Sequence, residues 1–153
     1  PMPAPLDLPS GLTSRPLRRG DEPAVTAVIA AQETEDIGEA FIEEADIVAD
    51  WQRPSFDPAT STIGVLDGPR LVGYAEITGD GRGDAAVHPD YRGRGIGTAL
   101  ARWMQEAARA QDATLIGMPV PEGLPKDISK VVGSMKEREW DIRRALDLVF
   151  VGV

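Results

Sequence analysis

The 153-residue chain has no cysteine, no asparagine and a single histidine, His88, and aromatic residues make up only 5% of it. Without thiols it can form neither disulfides nor thiolate metal sites, and a cysteine nucleophile is excluded. One histidine rules out a multi-histidine metal centre, and no metal is expected. Nowhere does the sequence hold the ~18 consecutive apolar residues of a membrane span. No secretory leader is visible in it, so a soluble, cytoplasmic protein is the expectation. Positive charge is also short: 16 basic residues stand against 25 acidic ones, a formal net charge of −9. Nucleic acids and anionic membranes are held through a basic footprint, so neither is expected as a partner.

The length suits one domain able to bury its own core. Pro1, Pro3, Pro5 and Pro9 break up residues 1–11, which show no apolar periodicity and read as a flexible arm. Residues 12–153 are left as a single domain.

The densest signal is the stretch from Val87 to Thr98, VHPDYRGRGIGT. A short apolar run, Ala85 to Val87, reads as a buried strand that Pro89 stops. A glycine-rich loop follows and opens into a strong helical pattern from Thr98. Helix starts leave backbone N–H groups unpaired and carry partial positive charge, which is the geometry that binds phosphate. Gly93, Gly95 and Gly97 remove side chains that would hold a diphosphate away from the backbone, and Arg92 and Arg94 add forked donors. A P-loop is excluded because no Lys-Ser/Thr pair follows. The spacing G-x-G-x-G also differs from the Rossmann G-x-G-x-x-G.

The order Arg92-x-x-Gly95-x-Gly97, set after VHPDY and before a helix, resembles the acyl-CoA-binding motif of the GNAT N-acetyltransferase superfamily. The resemblance implies an α/β (α+β) fold: a central mixed, mostly antiparallel sheet of about six to seven strands with helices on both faces. It implies acetyl-CoA as acyl donor and an amine as acceptor, and leaves a homodimer open. The cofactor loop would be Arg92, Gly93, Arg94, Gly95, Ile96, Gly97 and Thr98. Ala85, Ala86 and Val87 join this set, because the oxyanion donor in such enzymes is typically a backbone N–H on the preceding strand, here near Ala86–Val87. Arg82 is a further cation close to the loop.

Before the loop, Leu12 to Arg18 reads as a first strand, and Asp21 and Pro23 suit a helix start. That helix is expected to run to about Glu33 on Val25, Val28 and Ile29. A second, from about Glu39 to Gln52, would bury Phe41, Ala45, Val48 and Trp51. No Lys or Arg lies between Ala24 and Gln52, whereas eight Asp and Glu residues lie between Glu33 and Asp50. This is either a solvated polar face or, since the resemblance puts these helices beside the acceptor, a wall that attracts a cationic amine. Ser61–Leu66 and Leu71–Thr78 read as a hairpin around Asp67-Gly68-Pro69-Arg70. A turn at Gly79–Gly83 leads to the strand ending at His88. His88 is read as a strand cap.

Alternation puts Tyr74 and Glu76 on one face of the third strand. Glu76 and Asp84 are the carboxylates nearest the site, and Glu76 is preferred as the base that deprotonates the ammonium. Many relatives place an acid tyrosine on a later helix, which has no counterpart here because Tyr74 and Tyr91 are the only tyrosines. The thiolate then leaves unassisted or Tyr74 substitutes. From about residue 119 the pattern departs from the family, with a helix expected over Asp127–Gly133 and strands over Ala113–Gly117, Trp140–Ile142 and Leu146–Val151. A catalytically silent acyl-CoA-binding module is the alternative function. A different nucleotide binder is a third.

Overall fold

A computed structural model of the chain describes residues 6–77, 83–110, 115–117 and 149–151. Strand β1 (Leu12–Arg15) is followed by helices α1 (Glu22–Ile37), α2 (Glu44–Trp51) and the one-turn α3 (Pro58–Ser61). Strands β2 (Thr62–Asp67), β3 (Arg70–Ile77) and β4 (Gly83–Val87) come next, then a 3-10 turn at Pro89–Tyr91 and helix α4 (Ile96–Ala110). The last described elements are β5 (Leu115–Gly117) and β6 (Val149–Val151). The helix expected over Asp127–Gly133, the strand over Trp140–Ile142 and Arg82 lie outside the described residues.

The sheet has the order β1-β2-β3-β4, with every pairing antiparallel. Asp67 pairs with Arg70 across a two-residue connection. Its first member, Gly68, has φ of +58°, a backbone region that favours glycine and suits a tight hairpin. The expected single mixed sheet of six to seven strands is thus corrected. Among the described residues four strands form one antiparallel sheet, and β5 pairs with β6 in a separate ribbon rather than with β4. On β4 the Ala85 N–H donates to its neighbour Asp84's carboxylate at 2.9 Å. One edge donor is thereby used locally instead of in a ladder.

Helices do lie on both faces. Strand alternation sends Ala75, Ile77, Ala85 and Val87 to one side, and the register shift between β2 and β3 at Val65/Leu66 puts Val72 there as well; α4 contributes Ile96, Leu100, Trp103 and Met104 to the same side. Burying each such Ile, Leu or Met is worth about 1.5–3 kcal/mol. The helix can approach β3 closely because position 73 is glycine: a Cβ there would stand 3.2 Å from Ile96 Cγ2 and 3.4 Å from the Ala86 carbonyl oxygen. Tyr74 and Ala86 face the other way, under Val25, Val28 and Ile29 of α1 and Ile47 and Trp51 of α2.

Helix α1 starts after Asp21 as expected, but the Asp21 carboxylate is taken by Arg15 at 2.8 and 3.0 Å rather than capping the helix. The helix runs on to Gly38, whose φ of +89° and N–H bond to the Thr34 carbonyl at 3.0 Å close it. The expected second helix is corrected in start and face. Glu43 and Asp46 form a capping box that opens α2 at Glu44, so Phe41 precedes it and is 59% exposed. Ala45 is exposed and Val48 only half-buried, while Ile47 and Trp51 supply the buried face. In the stretch read as an arm, Leu6 and Leu8 are half-buried and pack against the core beneath α4.

Candidate functional site

Strand β4 delivers the chain to the glycine loop. The His88 N–H donates to the Val72 carbonyl at 2.8 Å, and His88 Nδ1 accepts from the Asp90 N–H at 3.1 Å, so the histidine caps the short turn. Burial and the Arg70 guanidinium push the His88 pKa below its ordinary value. Tyr91 is buried, and its hydroxyl donates to Asp67 at the hairpin corner. These bonds anchor the loop from below.

Above the anchor the backbone opens. Gly93 and Gly95 have φ of +75° and +86°, and a Cβ on either would meet nothing within 4 Å. Glycine is needed there for the backbone, and the space over it admits a ligand. The first intrahelical bond of α4 runs from the Ala99 N–H to the Gly95 carbonyl at 3.1 Å. The amides of Ile96 and Gly97 precede it and face the helix start. The positions of Gly93, Gly95, Ile96 and Gly97 therefore fit a diphosphate. Gly97 itself is buried inside the first turn.

The two loop arginines behave differently. Arg92 Nη2 lies 2.9 Å from the Asp36 carboxylate on α1, and its Nε is buried without a partner. It ties the loop to α1 and is not a free charge, contrary to the reading that it simply adds a phosphate donor. Arg94 is exposed, lies over the Tyr91 ring at 4.7 Å and donates to the Asp90 carbonyl.

A second group lies on the α1–α2 face of the same strands. Glu76 and Asp84 are directly opposite each other in the β3–β4 ladder, as are Tyr74 and Ala86. Glu76 is 6% exposed, and its pKa is pushed up to about 8, chiefly by burial and then by the negative charges of Asp84 and Asp50. The nearby Trp51 indole N–H, which makes no full hydrogen bond, favours the carboxylate, and Arg53 pulls in the same direction. Tyr74 is fully buried and donates to Asp84 at 2.8 Å. Burial and these carboxylates hold its pKa well above the ordinary phenol value. Sequence reasoning weighed Asp84 but could not bring Asp50 and Trp51 to the same place, because their approach depends on how α2 lies across the sheet.

Backbone parity then selects one amide. His88 bonds to Val72, so alternation in an antiparallel pair gives Ala86 and Asp84 the ladder bonds and turns the N–H groups of Ala85 and Val87 outward. Ala85 is already bonded to Asp84. Of the expected pair Ala86–Val87, Val87 is the residue whose amide points off the open edge.

The open glycine loop, the outward amide of Val87 and the buried carboxyl group of Glu76 are thus brought together by β3, β4 and the start of α4. The model of the acetyltransferase (GNAT) family matches residues 25–121, and the chain belongs to that family. Over 60 residues it is 42% identical to a mycothiol acetyltransferase of Frankia casuarinae, a match covering 37% of this chain and 17% of that protein. The fold is similar to that of a GCN5-related N-acetyltransferase from Sphaerobacter thermophilus (TM-score 0.68, 21% identity, 85% of this chain and 43% of that one). It is also similar to yncA of Salmonella typhimurium, solved with its cofactor acetyl-CoA (TM-score 0.54, 16% identity, 70% and 68% covered). The chain thus spans less than half the length of the first two of these proteins.

Proposed function

We propose that this chain is an acetyl-CoA-dependent N-acetyltransferase whose acceptor is a cationic amine attacking the thioester directly. The observation that carries the reading is Glu76: a buried carboxyl group with a pKa of about 8, facing two further carboxylates one strand and one helix away. Bound on the glycine loop, acetyl-CoA would supply the acetyl group as a thioester. The chain's own residues do the rest.

The carboxylates of Asp84 and Asp50 attract an ammonium group, and its arrival stabilises the charged form of Glu76, whose own proton leaves to solvent. Glu76 then accepts the proton that the attacking nitrogen must lose. A base that titrates near the working pH is well matched to that task. The Val87 N–H donates to the carbonyl oxygen as negative charge grows there. Tyr74 does not fit the acid role: its proton is held by Asp84 and its pKa is raised, so it orients Asp84 while the thiolate leaves unassisted.

Membership of a family of acetyltransferases supports transfer chemistry over a silent binding module. Release of free thiol from acetyl-CoA, measured across amines of charge zero, one and two, tests the reading. Turnover should rise with acceptor charge. No thiol release with any amine, despite cofactor binding, would leave the silent module as the better account.

A further inference from the structure

The C-terminal end of α2 lies beside Glu76 through Trp51 and carries two opposite charges that do not satisfy each other. Asp50 and Arg53 are both exposed and only three residues apart. Among the described residues, neither side chain takes part in an ion pair. The Arg53 Nε donates instead to the Asp50 main-chain carbonyl at 3.0 Å. That bond fixes the root of the guanidinium and leaves its two terminal nitrogens without a hydrogen bond among the described residues. Arg53 is also the only basic residue between Arg19 and Arg70. We propose that the acceptor is a diamino acid, whose remote amine is acetylated at Glu76 while its ammonium-and-carboxylate end is held between Asp50 and Arg53. The proposal rests on the cationic-amine reading and narrows it.

The site matches this molecule charge by charge. Glu76 and Asp84 are opposite each other in the ladder and form one acidic position. The Asp84 carboxylate is engaged by the Tyr74 hydroxyl at 2.8 Å and the Ala85 N–H at 2.9 Å, so it is held in place beside Glu76. Asp50 is a second acidic position at the exposed end of α2, and it acts electrostatically on Glu76, as Arg53 does with the opposite sign. Between them in the chain, Trp51 is 1% exposed and its indole nitrogen is buried without a hydrogen-bond partner, so this helix end is anchored in the core and still has an unmet donor beside Glu76. A monoamino acid brings one ammonium to two acidic positions. A plain diamine fills both but is repelled by Arg53. A diamino acid fills both and gives Arg53 a planar carboxylate, to which its fork is suited. A phosphate in that place would set close to two negative charges beside Asp50 and is disfavoured. The chemistry stays balanced: the remote nitrogen bonds to the acetyl carbon, and the carbon–sulfur bond breaks with its electron pair on sulfur. One ammonium proton passes to Glu76, and the second reaches the thiolate through solvent.

The test is thiol release from acetyl-CoA by the full chain with lysine and with cadaverine, which is lysine without its carboxylate. Ornithine and putrescine form a second such pair, and the number of ammonium groups is the same within each pair. Wild-type kcat/KM should favour the diamino acid by about tenfold, the scale of one charge-assisted contact at an exposed position. Arg53→Gln should lower turnover of the diamino acid and raise that of the diamine, from which a like charge has been withdrawn, so the ratio falls about tenfold. A wild-type ratio of one or less, or a fall shared equally by both substrates in the variant, overturns the assignment and leaves the cationic-amine reading standing. No thiol release with any amine overturns that reading, and this inference falls with it. If Arg53→Gln does not fold, Arg53→Lys serves: charge without the fork should cut the ratio severalfold, and an unchanged ratio counts against the assignment.

Discussion

Replacing Glu76 with Gln tests the site through two independent quantities. The side chain keeps its shape but can no longer ionise. In the wild type the folded state holds the Glu76 proton up to a pKa of about 8, whereas the group's ordinary value is 4.5. Folding stability contributed by this proton is complete below the unfolded value and is lost as pH rises toward the folded one. At 1.36 kcal/mol per pH unit, the loss by pH 7 is on the order of 3 kcal/mol. Urea unfolding at pH 5 and pH 7.5 should therefore show Glu76→Gln gaining on the wild type as pH rises. In turnover, the wild-type kcat/KM should climb with pH to a midpoint near 8 as the carboxylate forms. The variant should be roughly a hundredfold slower, at the low end of acid–base effects, and should lack that climb. If stability follows the same pH course in both proteins, Glu76 is not the buried titrating group. If the rate and its pH profile are unchanged, Glu76 is not the base.

Other perturbations probe the surrounding parts. Gly95→Val places a β-branched residue at φ of +86° and a side chain in the open space over the loop, so acetyl-CoA affinity measured by titration should fall at least tenfold. Asp36→Ala strands the Arg92 guanidinium, whose side chain is 15% exposed, and should lower stability by about 1 kcal/mol in urea unfolding because Asp36 itself is near the surface. It should also weaken cofactor binding if the tie to α1 sets the loop. Raising ionic strength from 0.05 to 0.5 M, about a threefold drop in screening length, should reduce kcat/KM for a dicationic amine and leave a neutral amine unaffected. Equal salt sensitivity for both would remove the acidic wall from substrate capture.

Much of this was open to sequence reading, and the reasons are local. Gly93, Gly95 and the helix after them announce themselves through backbone chemistry, since positive φ and unpaired amides at a helix start are properties of a few adjacent residues. The strands around Asp67-Gly68-Pro69-Arg70 are legible for the same reason. The face shared by Tyr74 and Glu76 follows from two-residue periodicity alone. Helix α2 was less legible because apolar spacing does not fix where a helix begins. The capping box of Glu43 and Asp46 sets that start and leaves Phe41 outside.

What the sequence by itself determined is the glycine turn, the strand-turn-helix around it and the acidic character of the stretch from Glu33 to Asp50, because each depends on residues close together in the chain. Only the tertiary structure decided that Asp84 and Asp50 converge on Glu76, that Asp36 claims Arg92, and that Leu6 and Leu8 pack against the core beneath α4. Those outcomes depend on ladder register and helix placement, which bring together residues from separate elements and are set by packing across the whole sheet.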